Sequence, residues 1–540
     1  NNTVKKCIIS QGIQHIYCAA FGSSLGGNNS IESIFIPESV TCIDTFSLYL
    51  GAPFANCTAL KEIVVDPQNK YYSSEDGVLY NKEKTVLLAY PAGKTEKTFT
   101  VPEGIISIET EAFCSSQALT EIKLPDSLLY IEGAAFNNCK ALKKVNCPKN
   151  LVSIEASAFY NCVNLSEVTI PDSVTDIGQN AFDETNIVNS QNSAIKYVGK
   201  WVVNFTDKTA EDVTIKDGTV GIAQRAFDGG VALKSVRLPD SLLYINDNAF
   251  SYCKNLSNVN IGDKVKYIGR YAFDETPILK NQDTAVKYIG NWLVDCDKDV
   301  TDVIVKDGTY GISSSAFSYA KLQTITIPES VKVILREAFS GTPLIDNQSG
   351  DVKYADNWIV YCNEKATKVQ IKEETVGIAD SAFSFCNNIT EIVLPDSLEI
   401  INDNAFFNCT GLSSIAIPAT VKNISLNAIG YISPAYAQGY NHQQKEGFVL
   451  NVYSNTAGEN YAKINRFDYT VLDDINKLTG VKVKTQGTNS LTLAWDKNAS
   501  ASGYVVEQYK GGKWTQIAKT SSNATVTYTV NGLKADTTYT

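Results

Sequence analysis

Methionine is missing from all 540 residues, and histidine occurs twice, as His15 and His442. Two histidines far apart in sequence form no local histidine-centred catalytic or metal motif. No HExxH, no G-x-S-x-G elbow and no P-loop is present. Each histidine reads as an ordinary surface residue. No run of 18 apolar residues exists, so no membrane-spanning helix and no direct membrane insertion is expected. Positive charge is also scarce, with a net charge of −11. Residues 476–540 carry +5, which leaves −16 on the remainder. An acidic chain argues against nucleic acid, whose backbone demands a basic footprint, and against an anionic membrane surface.

What the chain has in abundance is repetition. The dipeptide Ala-Phe occurs twelve times, from Ala20-Phe21 to Ala405-Phe406, with Phe54 and Ala428-Ile429 as altered copies. An Ile usually stands five residues before the Phe, as in Ile131/Phe136 and Ile245/Phe250. Pro102, Pro125, Pro148 and Pro171 are 23 residues apart. A fixed period of this length is the signature of a solenoid. Each unit opens with an alternating run, Leu-x-x-Ile-x-Leu, which reads as a strand with one buried face and ends at a proline that cannot donate to a ladder. The remainder suits a brief extended turn and then a helical or 3₁₀ turn. Stacking would align Leu, Ile, Ala, Phe and Cys as ladders through one core of 13–14 turns. Phe317 precedes its Leu by five residues where Phe136 and Phe159 precede theirs by six, so one residue is missing from that unit.

The units resemble the BspA-like bacterial leucine-rich repeats. The stretches IPDSVTDIGQNAF (170–182) and LPDSLEIINDNAFFNCTGL (394–412) carry the resemblance, which covers roughly residues 4–430. It implies an α/β, strand-rich, right-handed leucine-rich-repeat solenoid with short helical turns. It also implies a secreted or bacterial cell-surface protein of adhesive, non-enzymatic character. The partner is then a host or matrix protein, or a cell-surface glycan, with no cofactor. The chain opens in mid-pattern at Val4–Ile9, as a mature or trimmed product would.

Thirteen cysteines do not form a disulfide pattern. Cys57, Cys139, Cys162, Cys253, Cys386 and Cys409 each lie three residues after a repeat Phe, a core position where free Cys packs as a small hydrophobe. Stacked neighbours would have parallel Cβ vectors, a poor disulfide geometry. With no CxxC and no Cys/His cluster in the sequence, no metal site is expected. Asp295-x-Asp297-x-Asp299 imitates the start of a calcium loop but has Val300 at loop position 6 and Lys306 at position 12.

Inserts interrupt the period near 66–98, 185–215, 276–304 and 342–371. The last three share Lys-Tyr-x-x-x-Trp, and read as hairpins projecting from the solenoid. Their aromatics, Tyr197, Trp201, Tyr288, Trp292, Tyr354 and Trp358, either fill small hairpin cores or form a platform for a glycan or peptide. Outward positions on strands expected to be concave give a second candidate ligand surface: Glu121, Lys123, Lys144, Glu167 and Arg237. No residue is assigned a catalytic role.

After residue 430 the repeat fades into a cap (431–475). Residues 476–540 read as an incomplete all-β sandwich that resembles a fibronectin type III domain. Trp495 lies on its second strand and Tyr504 on its third, with Leu533 and Tyr539 matching a tyrosine corner. A sandwich without its last strands implies that the natural polypeptide continues. The leading reading is a non-enzymatic extracellular binding protein. The alternative is an accessory binding region of a larger secreted carbohydrate-active enzyme, because fibronectin type III modules also accompany such enzymes.

Overall fold

The computed structural model describes residues 4–534, apart from 24–25, 46–50, 426, 434–442, 473–477, 479, 499–500, 502, 511–512 and 523. His442 and Tyr539 lie outside the described residues. The chain is a strand-rich solenoid of about 19 turns. A regular repeat contributes two short parallel strands. The first, such as Glu121–Lys123, pairs with Lys144–Asn146 of the next unit, with Ile122 opposite Val145. The second, such as Tyr130–Ile131, pairs with Ser153–Ile154 in the same sense. Alternation holds on the first strand: Glu121 and Lys123 are exposed and Ile122 is buried.

The Ala-Phe segment is not the helical turn its spacing suggests. The residue before Ala and the second residue after Phe adopt left-handed backbone, with φ of 53° at Ala134 and 61° at Asn138. This alternation turns every second N–H toward the next repeat. Ala134, Phe136 and Asn138 each donate to a carbonyl of the following unit at 2.8 Å. Left-handed backbone costs an L-residue roughly 1–2 kcal/mol, and these inter-turn hydrogen bonds offset it. The Phe rings stack along the core, with centroids 4.8 Å apart at Phe113/Phe136 and 5.1 Å at Phe136/Phe159. Cys139 and Cys162 are fully buried, and each S–H donates to the carbonyl of a Phe one turn back, Phe113 at 3.0 Å and Phe136 at 3.1 Å. All thirteen cysteines are free thiols.

The inserts correct the expectation of projecting hairpins and of 13–14 turns. In each, the second strand enters the stack as a turn of its own. Trp201–Phe205 pairs antiparallel with Ile195–Val198 and parallel with Gly221–Ile222 of the following repeat. Trp292–Cys296 and Trp358–Cys362 do the same. The Phe205 ring lies 5.0 Å from the Phe227 ring, tilted by 32°, and takes the ladder position of a repeat Phe. The unit shortened by one residue is closed by burying both Ala320 and Leu322, while Lys321 N–H turns to the Lys298 carbonyl at 2.9 Å.

The stack bends at the inserts. On the first-strand side the sheet breaks there, after Glu167–Thr169 and after Asn258–Asn260. On the other side, the turns flanking each hairpin touch directly. Gln224 N–H donates to the Ile177 carbonyl at 2.9 Å, Ser313 Oγ to Ile268 at 2.8 Å and Asp380 N–H to Ile334 at 2.9 Å. Each hairpin is therefore a wedge. The curvature carries the turn of Tyr130 round to the turn of Asn427, 297 residues away, where the Tyr130 hydroxyl donates to the Asn427 side-chain carbonyl.

Beyond the repeats, Val449–Tyr453 pairs parallel with Ser414–Ala416 and with Asp468–Leu472. The helix Ala457–Ile464, capped by Thr456 accepting from Glu459 N–H, covers the end of the core. Residues 482–531 form two antiparallel sheets about Trp495, Tyr504 and Val506.

Candidate binding site

The insert aromatics are structural. Trp201, Trp292 and Trp358 are at most 2 % exposed, which removes them as a ligand platform. Each lies flat over a glycine of the next turn, and Trp292 Nε1–H donates to the Val265 carbonyl at 3.0 Å. The tyrosines tie each hairpin to the segment just past the outer strand that follows. Tyr197, Tyr288 and Tyr354 hydroxyls accept from Lys216, Lys306 and Lys372 N–H at 3.2, 3.1 and 3.3 Å. The Lys216 ammonium sits 4.1 Å above the Tyr197 ring. In the same signature, Lys196 and Lys287 Nζ donate to the carbonyls of Gln191 and Gln282 and close the loop before the hairpin. Lys-Tyr-x-x-x-Trp is thus a folding signature in which each residue has a packing partner.

The first-strand residues are exposed as expected, but not on the inner face. Glu121, Lys144 and Glu167 form one ladder in register, with Lys144 Nζ 3.0 Å from Glu167 Oε2. Lys123 projects from the same strand as Glu121, and Arg237 from the next first-strand sheet, beyond the first hairpin. The Lys144–Glu167 pair is solvent-exposed, and pairs of this kind stabilise little. The concave side is lined instead by the second strands and the residues after them, because those turns close round on themselves.

There a cavity of about 540 Å³ collects side chains from turns between Tyr130 and Asn427. Six carboxylates line it: Glu132, Glu155, Asp176, Asp247, Asp380 and Asp403. Two guanidinium groups oppose them, Arg270 and Arg336. Asp176 accepts from Gln224 Nε2 at 3.0 Å, Asp247 Oδ1 accepts from Arg270 N–H at 2.8 Å, and Asp403 Oδ1 from Asn427 N–H at 3.2 Å. Burial, then neighbouring carboxylates, hold Glu132 and Asp176 well above the usual carboxylate range. Burial and then Asp403 push Asp380 up to about 7. The arrangement is a pocket of crowded carboxyl groups that hold their protons more tightly than usual, and a cationic guest would relieve that crowding by favouring their ionised form.

Two smaller hollows adjoin it, of about 400 Å³ beside Asp295 and about 480 Å³ beside Tyr361. The equivalent place in the first hairpin is bridged by Asn204, whose Nδ2 donates to both Asp183 oxygens at 3.0 Å. In the second, Asp295 meets the like charge of Asp274, one of the groups that keep the Asp295 carboxyl raised after burial. The sequence signal for the inner lining was present as the positions flanking each repeat Ile, one before it for Asp176 and one or two after it for the other charged groups. No periodic rule singles them out, since Gly, Ser, Asn and Leu occur there too.

His15 is the other departure. Parallel pairing of His15–Ile16 with Cys42–Ile43 sets His15 opposite Cys42, and Asp44 Oδ1 lies 2.7 Å from His15 Nε2. Among the described residues this is the one group of three suited to holding a metal ion. It overturns the expectation of an ordinary surface histidine, because partners 27 and 29 residues away are invisible to a search for local spacing. Asp297 and Asp299 pair separately with Lys287 and Lys321, at 3.3 and 2.7 Å.

A stack of 23-residue turns with a phenylalanine ladder defines the molecule as a leucine-rich-repeat solenoid, a repeat scaffold. The family described as BspA type leucine rich repeat region matches in six copies over residues 92–204, 220–346 and 310–433, and the chain belongs to it. No curated protein matches the chain. Among solved structures, a leucine-rich repeat protein from Eubacterium ventriosum is 25 % identical over 50 % of this chain, with a TM-score of 0.30. The match spans 64 % of that protein's length. One from Bacteroides ovatus is 19 % identical over 74 % of this chain and 97 % of its own, with a TM-score of 0.21. A leucine rich cell surface protein from Faecalibacterium prausnitzii is 17 % identical over 88 % of both chains, with a TM-score of 0.21.

Proposed function

We propose that this chain is a non-enzymatic, secreted or surface-displayed binding scaffold whose inner cavity receives a cationic group of a host protein, matrix protein or glycan. One observation carries the reading: six carboxylates and two guanidinium groups from turns far apart in sequence line a single cavity. Core packing does not require that charge, and an excess of carboxylate favours a lysine, arginine or amino-sugar guest. Membership of the repeat family supports the scaffold role and the surface location. In this reading residues 1–430 are the solenoid, 431–475 its cap and 476–540 a fibronectin type III-like spacer. Trp495 packed edge-on against Tyr504 at 5.3 Å supports the last assignment.

An array of matrix proteins and glycans, probed with the chain and two paired variants, tests the site. Asp380→Asn with Asp403→Asn should weaken capture at least tenfold, while Lys144→Ala with Glu167→Ala should leave it unchanged. The opposite pattern would move the site to the outer ladder. Equal capture by all three proteins would remove both surfaces.

A further inference from the structure

We propose that His15, Cys42 and Asp44 form a zinc site that clips the first inner strand to the second. Strand geometry makes the convergence. His15 and Cys42 occupy one register position on adjacent parallel strands, so their side chains leave the same face. Asp44 is two residues beyond Cys42 and shares that face. The three donor atoms lie close together. His15 Nε2 is 2.7 Å from Asp44 Oδ1 and 3.4 Å from Cys42 Sγ, and Cys42 Sγ is 3.8 Å from Asp44 Oδ1.

Tetrahedral zinc with ligands at 2.0–2.3 Å requires donor separations of roughly 3.3–3.7 Å. The two sulfur distances already fall close to that range. The nitrogen–oxygen distance is a hydrogen bond that opens by roughly half an ångström when an ion enters. Tyr17 stacks on the imidazole with ring centroids 3.9 Å apart and fixes its plane. The His15 and Asp44 side chains are 33 % and 16 % exposed, which leaves an entry path and a fourth position for water or an outside ligand. Thiolate, imidazole and carboxylate together select a borderline metal over calcium or magnesium. Binding releases the thiol proton to solvent and joins sulfur to the ion.

The same trio is not a nucleophile triad. In such a triad the acid and the thiol sit on opposite ring nitrogens, and here both approach Nε2. Burial and then Asp44 also push the Cys42 thiol up to about 11, whereas a catalytic thiol is held low.

Zinc and cobalt titrations of the full chain provide the test. The expected result is saturable uptake of one equivalent, with a cobalt spectrum that contains thiolate-to-metal charge transfer. His15→Ala and Cys42→Ser should each weaken zinc binding at least tenfold. Cys42→Ser should retain the circular dichroism of the parent while losing the charge-transfer band. A measurement on the unaltered chain covers the case of misfolded variants: zinc should slow alkylation of Cys42, mapped by mass spectrometry, at least tenfold. Absence of stoichiometric uptake, a cobalt spectrum without thiolate, or zinc protection confined to other cysteines would overturn the proposal.

Discussion

Gly221, Gly311 and Gly377 are small because a tryptophan ring from the preceding hairpin lies on each of them. A Cβ at Gly221 would stand 2.3 Å from the Trp201 ring, and at Gly311 and Gly377 2.5 Å from Trp292 and Trp358. In ordinary turns the same register position holds Tyr130, Ser153 or Tyr244. The indole is fully buried and pinned by its strand, so it cannot swing away. We therefore expect Gly221→Ala to destabilise the chain by about 1–3 kcal/mol through overpacking, read as a lowered denaturation midpoint. Gly218→Ala, where nothing lies within 4 Å, is the control for the added side chain, although its φ of 84° carries its own strain. The Trp-to-Gly relation was present in the sequence at a spacing of 19 or 20 residues. It stayed hidden because it runs from an insert into the next repeat and breaks the 23-residue period.

At the scale of an element, the three hairpins share a backbone and differ in how each closes on its neighbour. Asn204 bridges the first to Asp183, and the equivalent pair in the second is Asp295 with Asp274. Replacing Asp295 by Asn restores the donor that the first hairpin uses and removes a like-charge contact. We expect Asp295→Asn to raise stability by about 1 kcal/mol at pH 8, measured by denaturant titration. Lost stability would show that the hollow beside Asp295 needs its charge. The strands, the Phe and Cys ladders and the positions of the inserts were legible from spacing, since burying one face of each unit dictates them. The direction taken by the inserts was not. Apolar residues such as Val202 and Phe205 fit a small hairpin core as well as a place in the stack, and only the partner strand at Gly221–Ile222 decides between them.

The inner cavity belongs to the whole molecule, and its protonation should appear in the stability of the whole. Asp380 loses its proton at about 7 when folded, and at about 4 when unfolded. Across that window the folded chain binds more protons, so stability falls as pH rises and levels off above about 7. Asp380→Asn should flatten this slope. It should match the parent near pH 4 and exceed it at pH 8 by an amount on the order of 1 kcal/mol, reduced by water in the cavity. Melting temperatures from pH 4 to 8 provide the readout, and identical profiles would place Asp380 in contact with bulk solvent.

Closure of the ring is the property least accessible to sequence reading, because it sums small angles over many turns and ends in one contact 297 residues apart. Thirteen strand-to-strand steps separate Tyr130–Ile131 from Asn423–Ile424 along the inner side. At about 4.8 Å per step a straight stack would hold these strands roughly 60 Å apart. The wedges at Trp201, Trp292 and Trp358 bring them into hydrogen-bond contact instead. Non-thiol spin labels at Leu129 and Lys422, equivalent positions in the two turns, would measure this by double electron–electron resonance. We expect a single population well below half of the extended distance. A value near 60 Å would open the ring and dissolve the cavity with it, since Tyr130 and Glu132 on one side and Asp403 and Asn427 on the other line it only while the ends meet.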